Sequence, residues 1–110
     1  MLASNKEDGG NKMRSEAFQV WLKSTKMIPR AQSDAKSRCA RVERDLGVIL
    51  DEEYEKDGGR SLVALLSYTA EDKRNNRPAP EGLMFNGDIK DGMASLKSAV
   101  KTYFLFCSQN

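Results

Sequence analysis

The stretch "ASLKSAVKTYFLFC", residues Ala94 to Cys107, decides the fold that this sequence predicts. Apolar residues in and just before it recur at steps of three and four, which keeps them on one face of a helix. Over its last turn the residues are apolar or aromatic on every side, so Leu105 and Phe106 lie off the main face. Leaving two such side chains in water is costly. We expect them to dock against an aromatic first helix or against a second copy of the chain. The main apolar face consists of Met93, Leu96, Val100, Phe104 and Cys107.

Length and composition predict one small domain. A chain of 110 residues can bury a modest core, and 31% charged with 39% hydrophobic residues is ordinary for a globular protein. No apolar run approaches the roughly 18 residues of a membrane span, so we expect no membrane partner. Residues 1–14 lack the apolar core of a secretory signal. We expect them to form a disordered tail, residues 15–110 to form a single helical domain, and the protein to be cytoplasmic.

Two further helices precede the last one. The first is predicted to start at Ser15, as a cap, and to bury Phe18, Trp21 and Leu22 at helical spacing. The second is predicted from Pro29, which suits a first turn, to Leu46, before Gly47 as a stop. Its apolar seam has the most regular period in the chain. The seam consists of Ala35, Cys39, Val42 and Leu46.

The middle of the chain predicts shorter elements. Asp51 has the character of a cap for a brief helix, and residues 61–68 are apolar enough for a buried short helix, although a strand is also possible there. Residues 69–88 contain prolines, glycines and the cations Lys73, Arg74 and Arg77, which predicts an irregular basic loop. Asp88 is a start signal for the last helix. The predicted fold class is therefore all-α, a compact bundle of four to five helices.

The residue types that are absent argue against catalysis. The chain has no histidine, the commonest general base, and its two cysteines alone cannot complete a structural zinc site. Cys39 and Cys107 fall on apolar seams and are interpreted as small buried hydrophobes. The acidic run at residues 51–57 offers no pair of carboxylates at useful spacing. We expect no catalytic residues, no metal site and no cofactor, hence no enzyme.

Basic residues follow one side of the second predicted helix. Arginines and serines share a stripe of about 80° opposite the apolar seam, and no carboxylate lies inside that stripe. Guanidinium and hydroxyl groups bind phosphate oxygens, so the stripe predicts contact with the backbone of duplex DNA. A solvated face held by local ion pairs is the alternative. With two lysines of the last helix, the predicted contact residues are Arg30, Ser33, Ser37, Arg41, Arg44, Lys97 and Lys101.

The order of these elements resembles a known module. The pattern combines the aromatic first helix, the basic second helix, the acidic turn "LDEEY" at residues 50–54, the apolar helix at residues 62–66 and the final "SLKSAVKTYFLF" at residues 95–106. It is similar to the helical, SAM-like core-binding domain at the N-terminus of phage integrases and tyrosine recombinases, also found beside some restriction-type nucleases.

The resemblance implies that helices of this domain clamp duplex DNA opposite a separate catalytic domain, in a protein of a mobile element or defence locus. The chain stops soon after Cys107, and we expect neither a catalytic half nor recombination activity. The alternative function is a helical protein-protein interaction or homodimerisation module. Its partner surface would consist of Leu105 and Phe106.

Overall fold

The computed structural model describes residues 14–109, which are helices and connecting loops without any strand. The all-α class is confirmed, with six helices in this part of the chain where the sequence predicted four to five. The predicted disorder of residues 1–13 concerns residues outside this range, whereas Arg14 caps the first helix. The helices are α1 (Ser15–Lys23), α2 (Pro29–Leu46), α3 (Leu50–Asp57), α4 (Arg60–Leu65), α5 (Ala70–Arg74) and α6 (Ile89–Gln109).

The second helix has the bounds that the sequence predicted, and its predicted apolar seam is buried except at Leu46, which is partly buried. Pro29 occupies its first turn, where its missing N–H costs no hydrogen bond. Gly47 ends it with φ +66°, a left-handed conformation that glycine adopts without a Cβ clash. Ala35, Cys39 and Val42 are buried. Local signals therefore set both ends of α2.

Two other predicted caps are wrong. Ser15 is the first residue of α1 rather than its cap, and Arg14 takes the cap position without a side-chain bond. Asp51 lies inside the first turn of α3, where its carboxylate faces α1 and α6 instead of the helix start. The Leu50 N–H is bound by Glu43 of α2 at 2.9 Å. The start of α3 is thus held by a side chain of another helix.

The loop at residues 69–88 contains a helix that we did not predict. Thr69 accepts a bond from the Asp72 N–H, and the Asp72 carboxylate accepts one from the Thr69 N–H. This reciprocal pair is a capping box, and the sequence "TAED" at residues 69–72 matches the pattern of that motif. The start of α6 is as predicted, since Asp88 accepts a bond from the Lys90 N–H at 2.8 Å.

The last helix is the centre of the fold, because all five other helices pack against it. Tyr103 packs edge-to-face on Phe18 with ring centroids 4.9 Å apart. Phe106 lies 5.4 Å from Phe18 and 5.8 Å from Trp21. The C-terminal turn of α6 therefore docks against α1 within the chain, which is one of the two outcomes expected for Phe106.

We expect Glu43→Ala to lower the free energy of unfolding by about 1–3 kcal/mol, because the buried Leu50 N–H would lose its acceptor. The Glu43 side chain is 2% exposed, so water cannot replace it without repacking. Chemical denaturation would measure the change. Glu52→Ala, at an exposed position on α3, is the control and should have little effect. Equal stability of the two variants would contradict this role of Glu43.

Candidate functional site

Arg41 does not extend into solvent as the sequence predicted. Its Nε lies 3.2 Å from a carboxylate oxygen of Asp45, and its Nη2 donates to the carbonyl oxygen of Met84. The guanidinium also lies over the ring of Phe85, 5.0 Å from the centroid. The loop at residues 78–88 folds over this part of α2. Arg41 thus joins the loop to the helix and is not free to bind a phosphate.

Arg44 shares the same carboxylate. Its Nε lies 3.2 Å from the other oxygen of Asp45, although the arginine side chain remains 68% exposed. Asp45 flanks the predicted stripe, and both long arginine side chains bend to reach it. The prediction of three solvent-facing guanidinium groups is therefore wrong for Arg41. The guanidinium of Arg44 is exposed, but Asp45 partly neutralises its charge.

The N-terminal half of the stripe is as predicted. Arg30, Ser33 and Ser37 are exposed. Within the described residues, Arg30 forms no ion pair. As far as residues 14–109 show, this half offers one cation without an ion-pair partner and two hydroxyl groups.

The basic loop is also largely neutralised. Lys73 lies 2.7 Å from Asp88, and Arg77 lies 3.1 Å from Asp72. The hydrogen bond with Lys73 lowers the pKa of Asp88, and the same contact raises the pKa of Lys73. Two of the three loop cations, Lys73 and Arg77, are therefore paired with carboxylates.

The outer face of α6 remains open. It carries Ala94, Ser98 and Thr102, with Leu105 at one end. Leu105 is 52% exposed. Lys97 and Lys101 line the same surface and form no ion pair with any residue in the range 14–109. This face combines an apolar side chain, small side chains and two cations without an ion-pair partner in the described part of the chain.

Two grooves meet along this face. One, of about 510 Å³, is lined by Lys97, Lys101 and Leu105 of α6. The other, of about 380 Å³, separates α6 from the N-terminal half of α2, where Ala31 and Arg38 form its wall. Both grooves include Ala94, Ser98 and Thr102. We call this combined surface the α2/α6 face.

The structure separates the two residues predicted to bind a partner. Phe106 is 1% exposed and lies in the aromatic cluster with α1, so it is not part of a partner surface. Arg14 covers one side of its ring at 4.8 Å. Only Leu105 of the predicted pair remains available for a partner.

A second cluster of polar groups connects α1, α3 and α6. One oxygen of the Asp51 carboxylate accepts bonds from Arg14 at 3.0 Å and from the Tyr103 hydroxyl at 3.0 Å. The Arg14 N–H donates to the same hydroxyl, and the Cys107 thiol lies 3.6 Å from Asp51. The residues come from positions far apart in sequence, and spacing alone gave no sign of the cluster.

The polar groups of this cluster are suited to a structural role. Burial, with the nearby Asp51 charge, raises the pKa of Cys107 to about 11 despite the opposing charge of Arg14. Burial also raises the pKa of Tyr103. Groups that stay protonated at neutral pH are poor nucleophiles. The cluster therefore holds the chain before α1 against the end of α6.

We expect the Cys107 thiol of the folded protein to react with iodoacetamide about a hundredfold more slowly than a free thiol at about pH 8, because its pKa is raised from 9.0 to about 11. The rate should rise about tenfold per pH unit until about pH 11. Mass spectrometry of a Cys39→Ser protein isolates this thiol. The same protein in denaturant is the control, and a folded rate equal to the denatured rate would contradict the raised pKa.

Comparison with known proteins gives no relative. No family model matches the chain, and no curated protein or solved structure matches it significantly. The resemblance to the core-binding domain of integrases therefore stays a prediction. Within residues 14–109, no helix has the length and apolar character needed to cross a membrane. The same residues contain no group of three or more metal-binding side chains, and both cysteines are free.

Proposed function

We propose that this protein is a helical interaction domain that binds a partner protein through the α2/α6 face. The observation that carries the proposal is the half-exposed Leu105, which stands at the end of a groove beside two lysines that form no ion pair in the described part of the chain. An apolar side chain in a groove with a charged rim is typical of protein interfaces. The function is binding without catalysis.

The intramolecular pairing of the arginines favours this proposal over the DNA contact that the sequence predicted. Arg41 and Arg44 share Asp45, so two of the expected phosphate ligands already have an anionic partner. Breaking such pairs would offset part of the gain from phosphate contacts. Among residues 14–109, Lys97 and Lys101 have no such partner, and both flank an apolar groove.

A photo-crosslinker at Ser108, one turn beyond Leu105, tests the proposal in cells that express the protein. We expect a discrete protein adduct that Leu105→Asp abolishes. Met84→Asp is the matched control, since Met84 is 84% exposed and lies in the loop that covers α2, away from the C-terminal end of α6. The adduct should persist in that variant. An adduct that survives Leu105→Asp, or no protein adduct at all, would reject the proposal.

Duplex DNA is a second candidate partner, because Arg30, Lys97 and Lys101 have no ion-pair partner within residues 14–109. A core-binding role like that in integrases, in a mobile element or defence locus, belongs to this candidate. Its affinity for DNA should fall steeply between about 50 and 200 mM salt. Lys97→Ala with Lys101→Ala should reduce the salt slope by about two. No binding at low salt would end this candidate.

The compartment is part of the proposal as well. Two free thiols suit a reducing cytoplasm, where cysteines stay unpaired. A dimer formed through Leu105 is a further form of the interaction proposal, and the measurements described below test it directly.

A further inference from the structure

The shape of the α2/α6 face suits a helix lying along α6. Ala94 and Leu105 are eleven residues apart, which at 1.5 Å per residue is about 16 Å, or three helical turns. Between them, Ser98 and Thr102 are short side chains that line both grooves. Short side chains let a partner helix approach closely, and Leu105 can insert between side chains of that helix.

The charges along this face are positive on one side and balanced on the other. Lys97 and Lys101 line the α6 side and have no carboxylate partner within the described residues. On the α2 side, Arg38 lies 3.9 Å from Asp34, and both are partly exposed. The surface formed by the described residues therefore has two positive charges beside its apolar groove that none of these residues compensates. A partner with carboxylates at the matching edge would complement it.

A second copy of the chain fits this face poorly. In a two-fold symmetric dimer the same patch meets itself, so the lysines of one protomer would approach those of its partner. Like charges at an interface cost several kcal/mol and suppress the wrong pairing. DNA would leave the exposed Leu105 without an apolar contact. Charge and apolar character together favour an acidic partner protein.

We infer that the α2/α6 face binds an acidic amphipathic helix of about three turns, with its leucine-type residues on the groove and its carboxylates beside Lys97 and Lys101. This inference rests on the proposed function and specifies the partner. The partner helix contributes apolar residues at spacing i, i+4 and i+7. Its carboxylates set the orientation and accelerate the encounter.

Titration of isotope-labelled protein with synthetic helical peptides tests the inference. The first peptide carries Leu at i, i+4 and i+7 with flanking Glu; the second has Lys in place of each Glu. We expect the Glu peptide to shift the NMR signals of Ala94, Ser98 and Leu105 and to bind more tightly than the Lys peptide. Lys97→Glu with Lys101→Glu should weaken the binding of the Glu peptide about tenfold and strengthen the binding of the Lys peptide. Leu105→Asp should abolish both.

Four outcomes would overturn the inference. They are no binding of the Glu peptide at about millimolar concentration, signal shifts elsewhere in the domain, tighter binding of duplex DNA at the same face, and a dimer in sedimentation experiments that Leu105→Asp dissociates. The crosslinker at Ser108 distinguishes a failure of this inference from a failure of the proposed function. If the peptides fail while a protein adduct forms, the proposed function stands and only the helical partner is wrong. If neither is seen, both fail.

Discussion

Phe106→Ala is expected to lower the free energy of unfolding by about 3–5 kcal/mol and the melting temperature by about 10–20 °C. The ring is 1% exposed and is surrounded by Phe18, Trp21 and Tyr103, with centroid distances of 5.3 to 5.8 Å. Removing it leaves a cavity in the aromatic cluster through which the α6 C-terminal turn contacts α1. The three neighbouring rings cannot fill that space without moving α1. Calorimetry and chemical denaturation would measure the loss.

Leu105→Ala is the matched control for this change, because it truncates the adjacent side chain of the same helical turn. Leu105 is half-exposed, so its truncation should change stability by about 0.5 kcal/mol or less. The two variants also separate fold from function: Phe106→Ala should destabilise the domain, whereas Leu105→Asp should abolish partner binding in a folded protein. Equal stability losses at both positions would show that the C-terminal turn packs differently.

Gly59→Ala is the second large effect, with an expected loss of about 2–5 kcal/mol in the free energy of unfolding. Gly59 has φ +84°, which costs an alanine about 1–2 kcal/mol. A methyl group there would also lie 2.2 Å from the ring of Phe104. That ring is 6% exposed and stacks near Tyr54 at 6.0 Å, so it has little room to move. Overpacking of this kind adds about 1–3 kcal/mol.

Gly58→Ala provides the control, since Gly58 has a similar φ of +71° and no atom within 4 Å of the added methyl group. It should cost only the backbone component, about 1–2 kcal/mol. In a Gly59→Ala/Phe104→Leu protein the smaller side chain relieves the collision, so the double change should cost less than the sum of the single changes. If the effects of the two single changes were strictly additive, the collision with Phe104 would not be the cause of the Gly59→Ala effect.

The candidate site was only partly predictable. The helical wheel placed Arg30, Ser33 and Ser37 correctly on an exposed face. It could not show that Met84 and Phe85, more than forty residues away, would cover Arg41. A wheel places Cβ atoms, but a long arginine side chain can bend toward any acceptor that the fold brings near. For that reason, DNA binding, which was predicted from the row of arginines, is proposed here only as the second candidate function.

The sequence by itself determined the helical class, the bounds of α2, the start of α6 at Asp88 and the apolar seams, since these depend on periodicity and on caps within a few residues. Only the tertiary structure decided which side chains near the seams are buried. Phe106 and Leu105 are adjacent and both apolar, yet α1 covers one and leaves the other exposed. The same holds for Arg14, Asp51 and Tyr103, whose contacts join three helices. Burial and ion pairing depend on neighbours that are distant in sequence, and local patterns carry no information about them.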